Sequence, residues 1–424
     1  MPARPDILLL MTDQQRWDSL GYAGNRFVRT PNLDRLAAGA LRFRHAATPF
    51  PLCSPARAGL WTGLHAHRHG VADNIYREPD ALAGRGRTTV FPALRAAGYR
   101  TGYVGKWHLG EARPDGFDHW SGYNSAASHW IDGAGARVWR PDRETDEAAG
   151  LLRDWSSGPP FLLVVSYYPP HPPYDAPDAE LARYRGTGNP HPAYYAAVDA
   201  LDSRIGRLLD MLAARRQARP AAVLFCSDHG ETFRSERGSK RSTEEGAIRV
   251  PLLLDAPSVV PGDVDAPVTL LDVAPTLAGL AGLPSAGDGD DLLRIAAGIA
   301  GRRSVVIENV AAEPVATRTG NLRQEVGVIR RPERVVWTGG AKLVLREASP
   351  PILRDLAADP EERFNAWSSP SSQPRVRALL QDLEEHSART ADRDGAGLAA
   401  GLRAILERGT GPAPAGPATP QVRP

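Results

Sequence analysis

Three stretches of this chain are apolar at every position: Ile7 to Met11, Phe161 to Val165 and Ala221 to Cys226. A strand with one face in water alternates apolar and polar side chains, and these do not alternate. Such runs fit strands buried on both faces of a parallel sheet, which needs helices on either side. The segments between them have helical spacing. Thr30-Pro31 places an N-cap and a first-turn proline before Leu33, Leu36, Ala37 and Ala40. Residues 88–97 put Val90 and Leu94 on one face before Gly98, and His191 to Gln217 carries the stripe Val198, Leu201, Ile205, Leu208, Leu209 and Leu212. The expected class is α/β, with a mostly parallel central sheet sandwiched by helices.

Ionisable residues follow directly after these strands. Thr12-Asp13-Gln14 follows the first and Ser227-Asp228-His229-Gly230 follows Cys226. A shorter strand, Arg100 to Val104, runs into Gly105-Lys106-Trp107-His108, and the Phe161 run leads to a proline-stiffened loop holding His171. Each has an ordinary reading: a turn aspartate, a surface lysine beside a packed Trp107, a stray loop histidine. Parallel strands, however, bring their carboxyl ends to one edge of the sheet, where open α/β folds place ligands. Four coincidences favour one shared pocket, in which acids from two strands bind a cation and the basic residues hold an anion.

Elsewhere the expectations are plainer. His65, His67 and His69 read as a polar surface loop, and residues 111–150 as loops and irregular insertions. Asp199 and Asp202 read as structural polar contacts, and Ile248 to Leu254 and Ser304 to Ile307 as further core strands. Beyond residue 310, Gln324 to Ile329, Arg334 to Trp337 and Ala341 to Leu345 read as short antiparallel strands with a Gly339-Gly340 turn, and a helix is expected from about Pro374 to His386. This gives a catalytic domain over 1–310, a small C-terminal α+β subdomain over 311–408 and a disordered tail over 409–424, rich in Pro, Gly and Ala. Lysine and arginine total 51 against 49 acidic residues, so charge makes no case for nucleic acid or a membrane surface. The longest apolar runs fall far short of the roughly 20 residues that span a bilayer. No charged-apolar-cleavage pattern opens the sequence, so a cytoplasmic location is expected. Two cysteines, Cys53 and Cys226, cannot form a disulfide framework, and Cys226 is expected to fill space within its strand.

Cys53 lies in Pro-Leu-Cys-Ser-Pro-Ala-Arg, ahead of a short helical run. A helix N-terminus there would offer N–H groups to an anion. Cys53 to Arg57 fits Cys-x-Pro-x-Arg and resembles the sulfatase family of the alkaline-phosphatase-like superfamily. The order of the strand-end motifs matches that family, and the segment from Leu353 to Asn365 resembles the one closing its C-terminal subdomain. The resemblance implies oxidation of Cys53 to formylglycine by a formylglycine-generating enzyme. It also implies one divalent cation held by Asp13, Gln14, Asp228, His229 and the modified Cys53, with calcium first and magnesium or manganese behind it. Gln14 stands where an acid is often found, and His229 offers nitrogen where others offer an amide oxygen. Arg57, Lys106, His108, His171 and Lys240 align with the cations of the sulfate pocket, Arg57, Lys106 and Lys240 as clamps on sulfate oxygens and His171 as general acid.

The implied reaction is hydrolysis of a sugar or aryl sulfate monoester. One hydroxyl of the hydrated aldehyde attacks sulfur, and the other then expels sulfate. Two alternatives remain open at this point: a phosphonate monoester or phosphodiester hydrolase of the same superfamily, and a catalytically silent member that keeps the fold.

Overall fold

The structure is a computed structural model. It describes all residues except 1–3, 126–127, 133–135, 216–218, 234–239, 258, 320–321 and 409–424, and the backbone alone over 311–319 and 322–329. The expected disordered tail therefore lies outside the described residues. The chain divides after Arg302 into two units.

The first unit is built on eight strands: β1 (Asp6–Thr12), β2 (Leu41–Phe43), β3 (Arg100–Lys106), β4 (His119–Tyr123), β5 (Phe161–Ser166), β6 (Ala221–Ser227), β7 (Leu252–Asp255) and β8 (Gly262–Val264). They pair in the order β8-β2-β7-β6-β1-β5-β3-β4. All run parallel except β7, which is antiparallel to both β6 and β2. The three unbroken apolar runs are the three central strands, and every residue of β1, β5 and β6 is buried. Their odd and even positions feed two separate apolar layers. Leu9, Val164 and Leu224 face one, and Leu8, Leu10, Val165 and Phe225 face the other.

Helices α1 (Pro31–Ala38) and α2 (Cys53–Thr62) appear as anticipated, as does the long α4 (Pro192–Arg215). Four expectations fail. Helix α3 (Arg140–Asp154) and strand β4 occupy the stretch expected to be irregular. The α3 sequence is dominated by charged residues, and its buried positions are Pro141, Glu144, Thr145, Ala148, Ala149 and Leu152, with Leu152 the one large aliphatic side chain. Ile248 ends a short helix, Glu245–Ile248, so the following strand starts only at Leu252. His65 and His69 are buried, and Ala66–His69 is one helical turn rather than a surface loop. Ser304 lies just before the C-terminal sheet, and Val305 to Ile307 open its first strand, not a strand of the central sheet.

The second unit is an antiparallel sheet of β9 (Val305–Thr319), β10 (Leu322–Trp337), β11 (Ala341–Arg346) and β12 (Ile352–Asp355). The two short strands expected at 324–329 and 334–337 are parts of one strand, β10. Helices α5 (Gln373–Thr390) and α6 (Arg393–Glu407) cover the sheet, with Val336, Leu343, Leu353, Leu379, Leu383 and Leu402 in the core between them. Among the described residues, no helix is long and apolar enough to cross a membrane.

Thr30 does not cap α1 with its side chain. Its hydroxyl instead accepts from the Gly21 N–H and donates to Asp34. The cap comes from α4: the Asp202 carboxylate accepts the N–H groups of Asn32 (3.1 Å) and Leu33 (2.8 Å). Burial pushes Asp202 up to about 6, although these N–H groups pull it down. An unfolded aspartate titrates near 4, so from about pH 4 to 6 the folded state binds more protons. This contribution to stability is largest at the acid end and falls as pH rises. Asp202→Ala is expected to cost about 1–2 kcal/mol in urea unfolding at neutral pH. Asp202→Asn is expected to flatten the decline between pH 4 and 6.

Candidate active site

The carboxyl ends of β6, β1, β5 and β3 lie side by side, with Thr12 level with Ser227, and Met11 and Gly105 level with Ser166. This register brings Asp13, Lys106 and Asp228 together. Gly105 makes the approach possible: its φ is +107°, and a Cβ there would lie 2.1 Å from the Ser166 carbonyl oxygen. A larger residue would push β3, and Lys106 with it, away from β5.

Cys53 is the first residue of α2, and Arg57, one turn on, lies on the same helix face. Arg57 is fully buried and bridges both acids. Its Nε donates to Asp228 (2.9 Å) and its Nη2 to Asp13 (2.8 Å). Its Nη1 donates to the Lys106 carbonyl (2.6 Å) and to Ser166 Oγ (2.9 Å). With four of its five N–H groups on protein acceptors, Arg57 organises the carboxylates.

Lys106 Nζ donates to the same Asp13 oxygen at 2.7 Å and sits 4.3 Å from the centre of the Tyr168 ring. Burial and Cys53 push Asp13 upward, but Lys106, His171 and Arg57 outweigh them and hold its carboxyl far below the usual range. Asp228 moves the other way: burial and then Asp13 push it up to about 7. Two buried acids this close resist sharing two negative charges without a further cation.

Cys53 Sγ lies 3.2 Å from His229 Nε2, 3.5 Å from Lys240 Nζ and 3.8 Å from Asp13 Oδ1. Burial alone would raise the thiol, yet Lys106, Lys240 and His229 bring it well below its ordinary value. Burial lowers His229, but Asp228 and Cys53 outweigh this and raise it to about 9. His229 Nδ1 meets the Gly230 carbonyl at 2.9 Å and must donate to it, so Nε2 is the nitrogen that faces the cluster.

Donor atoms of Asp13, Cys53, Asp228 and His229 lie within 4.8 Å of one another, all of them buried. Two carboxylates and an imidazole, with the Gln14 amide beside them, form a donor set that fits one divalent cation. Gln14 takes a left-handed backbone (φ 64°), and its N–H donates to Asp228 Oδ1 at 3.0 Å.

His171 is brought in by the proline loop, as anticipated. Its Nδ1 donates to the Pro172 carbonyl (2.6 Å), and its Nε2 lies 2.9 Å from Lys240 Nζ. An ammonium has no lone pair, so Lys240 donates and His171 accepts. Burial holds His171 down at about 4. The proton between the two therefore rests on Lys240. His108 is also buried; burial and then Lys106 lower it, while Cys53 raises it.

The helix N-terminus contributes less than anticipated. Pro55 has no N–H, and Ser54 N donates to Asn74 at 3.2 Å. Anion affinity here rests on side-chain cations. Sequence reasoning missed Ser166, which anchors Arg57, and Tyr168, which stacks on His171 with centroids 4.7 Å apart and underlies Lys106. Both lie at the end of a strand already read as leading to the site, and that position was the available signal.

A mostly parallel sheet with two acids, a buried cysteine and three cationic side chains at its carboxyl edge defines the class of sulfuric ester hydrolases. The sulfatase family model matches residues 5–283, and the chain belongs to the sulfatase family. It is 29% identical to the uncharacterised sulfatase YidJ of Escherichia coli K12, over 85% of this chain and 83% of that protein. It is also 29% identical to an ulvan-active sulfatase of Formosa agariphila, over 92% of this chain and 82% of that one. A solved Bacteroides thetaiotaomicron structure from work on glycosaminoglycan metabolism shares the fold with a TM-score of 0.79 at 22% identity, covering 96% of this chain and 99% of that one.

Removing Arg57 leaves two buried carboxylates without their shared partner, which costs about 3–5 kcal/mol. Arg57→Ala is therefore expected to lower the melting temperature of the substrate-free protein, as read by calorimetry. A residue serving only to hold sulfate would raise KM and leave that temperature unchanged.

Proposed function

We propose that the chain hydrolyses sulfate monoesters of a sugar or aryl alcohol, using formylglycine derived from Cys53 and one divalent cation. The observation that carries this reading is the buried convergence of Cys53 with Asp13, Asp228 and His229, flanked by Lys106 and Lys240.

Asp13, Gln14, Asp228 and His229 would hold the cation. Calcium is the first choice for the oxygen ligands, with magnesium or manganese behind it, and the His229 imidazole suits manganese or zinc better than calcium. When bound, it supplies Lewis acidity toward a sulfate oxygen and the attacking oxygen. The oxidised side chain supplies, once hydrated, one oxygen to attack sulfur and a second to release sulfate. Cys53 has 0% of its surface exposed, so a formylglycine-generating enzyme would need the segment before it folds.

The remaining residues have roles that follow from their contacts. Arg57 holds both acids in place. Lys106, with one of its three N–H groups on Asp13, can turn the others to a sulfate oxygen. Lys240 stands between Cys53 and His171 and can give a proton to the departing oxygen, with His171 Nε2 holding its ammonium in place.

Two measurements test the reading. In protein from its own host, the peptide containing Cys53 is expected to be lighter by roughly 18 Da, the loss of sulfur and two hydrogens for one oxygen. Cys53→Ala should abolish turnover and keep the fold. An intact thiol there would favour the catalytically silent alternative. In a turnover comparison, an aryl sulfate is expected to exceed an aryl phosphonate monoester in kcat/KM, and the reverse order would reassign the chain to phosphonate hydrolysis.

Lys240→Ala and His171→Ala are each expected to slow esters of poor leaving groups more than those of good ones. Equal losses across a series of phenol sulfates would remove the pair from proton transfer.

A further inference from the structure

Glu231 is not among the residues that the strand-end motifs single out, yet its carboxylate reaches the same centre. Just past β6 the chain is pinned against a neighbouring segment: Gly230 N donates to the Ala247 carbonyl (2.8 Å) and Glu231 N to the Gly246 carbonyl (2.7 Å). A Cβ on Gly230 would lie 1.9 Å from the Gly246 oxygen, so only glycine permits this path. Glu231 is thereby turned inward, with 0% of its surface exposed.

Its carboxylate accepts three hydrogen bonds from neutral donors. Oε2 takes the Gln14 side-chain Nε2–H and the Tyr174 hydroxyl (2.6 Å), and Oε1 takes the Phe233 N–H (2.7 Å). Arg16, the nearby cation, donates to the Glu231 backbone carbonyl (2.6 Å) and spends its other end on Asp18. Among the described residues, no cation pairs with the Glu231 carboxylate. Gln14 is fixed through its backbone as well, its N–H on Asp228 and its carbonyl on the Tyr194 hydroxyl (3.2 Å).

We propose that Glu231 is a positioning residue for the cation: it claims the nitrogen end of the Gln14 amide and so turns the carbonyl oxygen toward the metal. This rests on the reading that Asp13, Gln14, Asp228 and His229 hold a divalent ion. An amide left to itself can present either end, and only the oxygen end binds a metal. Glu231 selects that end, as outer partners of metal ligands do elsewhere. Its charge also offsets that of the ion one residue further out. Tyr174 belongs to the loop that carries His171, so Glu231 further ties the proton-transfer loop to the cation site.

The test is cation affinity, not turnover. Metal-stripped protein is titrated calorimetrically with Ca²⁺ and with Mn²⁺. Glu231→Gln keeps the shape but puts an N–H₂ against one of three donors whichever way it turns. It is expected to weaken binding by roughly ten- to hundred-fold, with Glu231→Asp recovering much of the loss. In a Gln14→Ala background, Glu231→Gln should add little, because its effect runs through Gln14. A folded Glu231→Gln variant binding within about two-fold of the wild type, against the expected loss, would overturn the inference alone. A wild type that takes up neither ion would overturn the cation site itself. If Glu231→Gln does not fold, a crystal structure of the unmutated protein with Mn²⁺ decides: Gln14 Oε1 on the ion supports the inference, and Oε1 turned away from it refutes it.

Discussion

Arg57 bridging Asp13 and Asp228 is the contact on which the centre depends. The two carboxylates come from different strands, β1 and β6, and both are fully buried. Brought together alone they would repel in a medium that screens poorly. A guanidinium is planar and always charged, and it can address two acceptors in fixed directions. Arg57 does so while its remaining donors hold the end of β3, through the Lys106 carbonyl, and of β5, through Ser166. One side chain thus ties four strand ends together. Because it sits one turn after Cys53, the same helix that presents the cysteine also anchors the acids it must face.

Around this bridge the charges are arranged by distance. Lys106 and Lys240 approach the cluster from opposite partners, one lying over Tyr168 and donating to Asp13, the other lying between Cys53 and His171. The imidazoles do different work. His229 turns Nε2 inward by giving Nδ1–H to a carbonyl, and His171 does the same toward Lys240. Both rings are therefore fixed with Nε2 toward the centre, where His229 is raised to about 9 by Asp228 and Cys53, whereas burial and then Lys106 lower His108.

Much of this was legible in the chain itself. The apolar runs are the central strands, and each acid or base after them sits at the shared edge. The long α4 stripe faces the core, and Asp199 and Asp202 make structural contacts, Asp199 accepting from Arg183 (3.0 Å) and Tyr184 (3.3 Å). What escaped has a common cause. Helix α3 is rich in charged residues and buries mainly small and polar side chains, so few large apolar residues mark it. The cap of α1 comes from a residue 170 positions away, and no local pattern encodes such a partner. Arg57 reads as a clamp on sulfate, and its protein acceptors, drawn from the ends of four strands, are not written in any local pattern. No local pattern marks Glu231, since its partners Gln14 and Tyr174 are 217 and 57 positions away.

The sequence by itself determined which segments lie in the sheet and which chemical groups stand at its edge. Both follow from short-range facts: a run without polar residues must be buried on both faces, and a residue directly after such a strand must emerge at its end. Only the tertiary structure decided how those groups are shared out, with Arg57 donating to the acids, Lys240 to His171 and the Gln14 amide to Glu231. The reason is that a side chain with several donors or acceptors takes its role from whichever partners the fold brings within about 3 Å of it, and those partners come from strands and loops far apart in the chain.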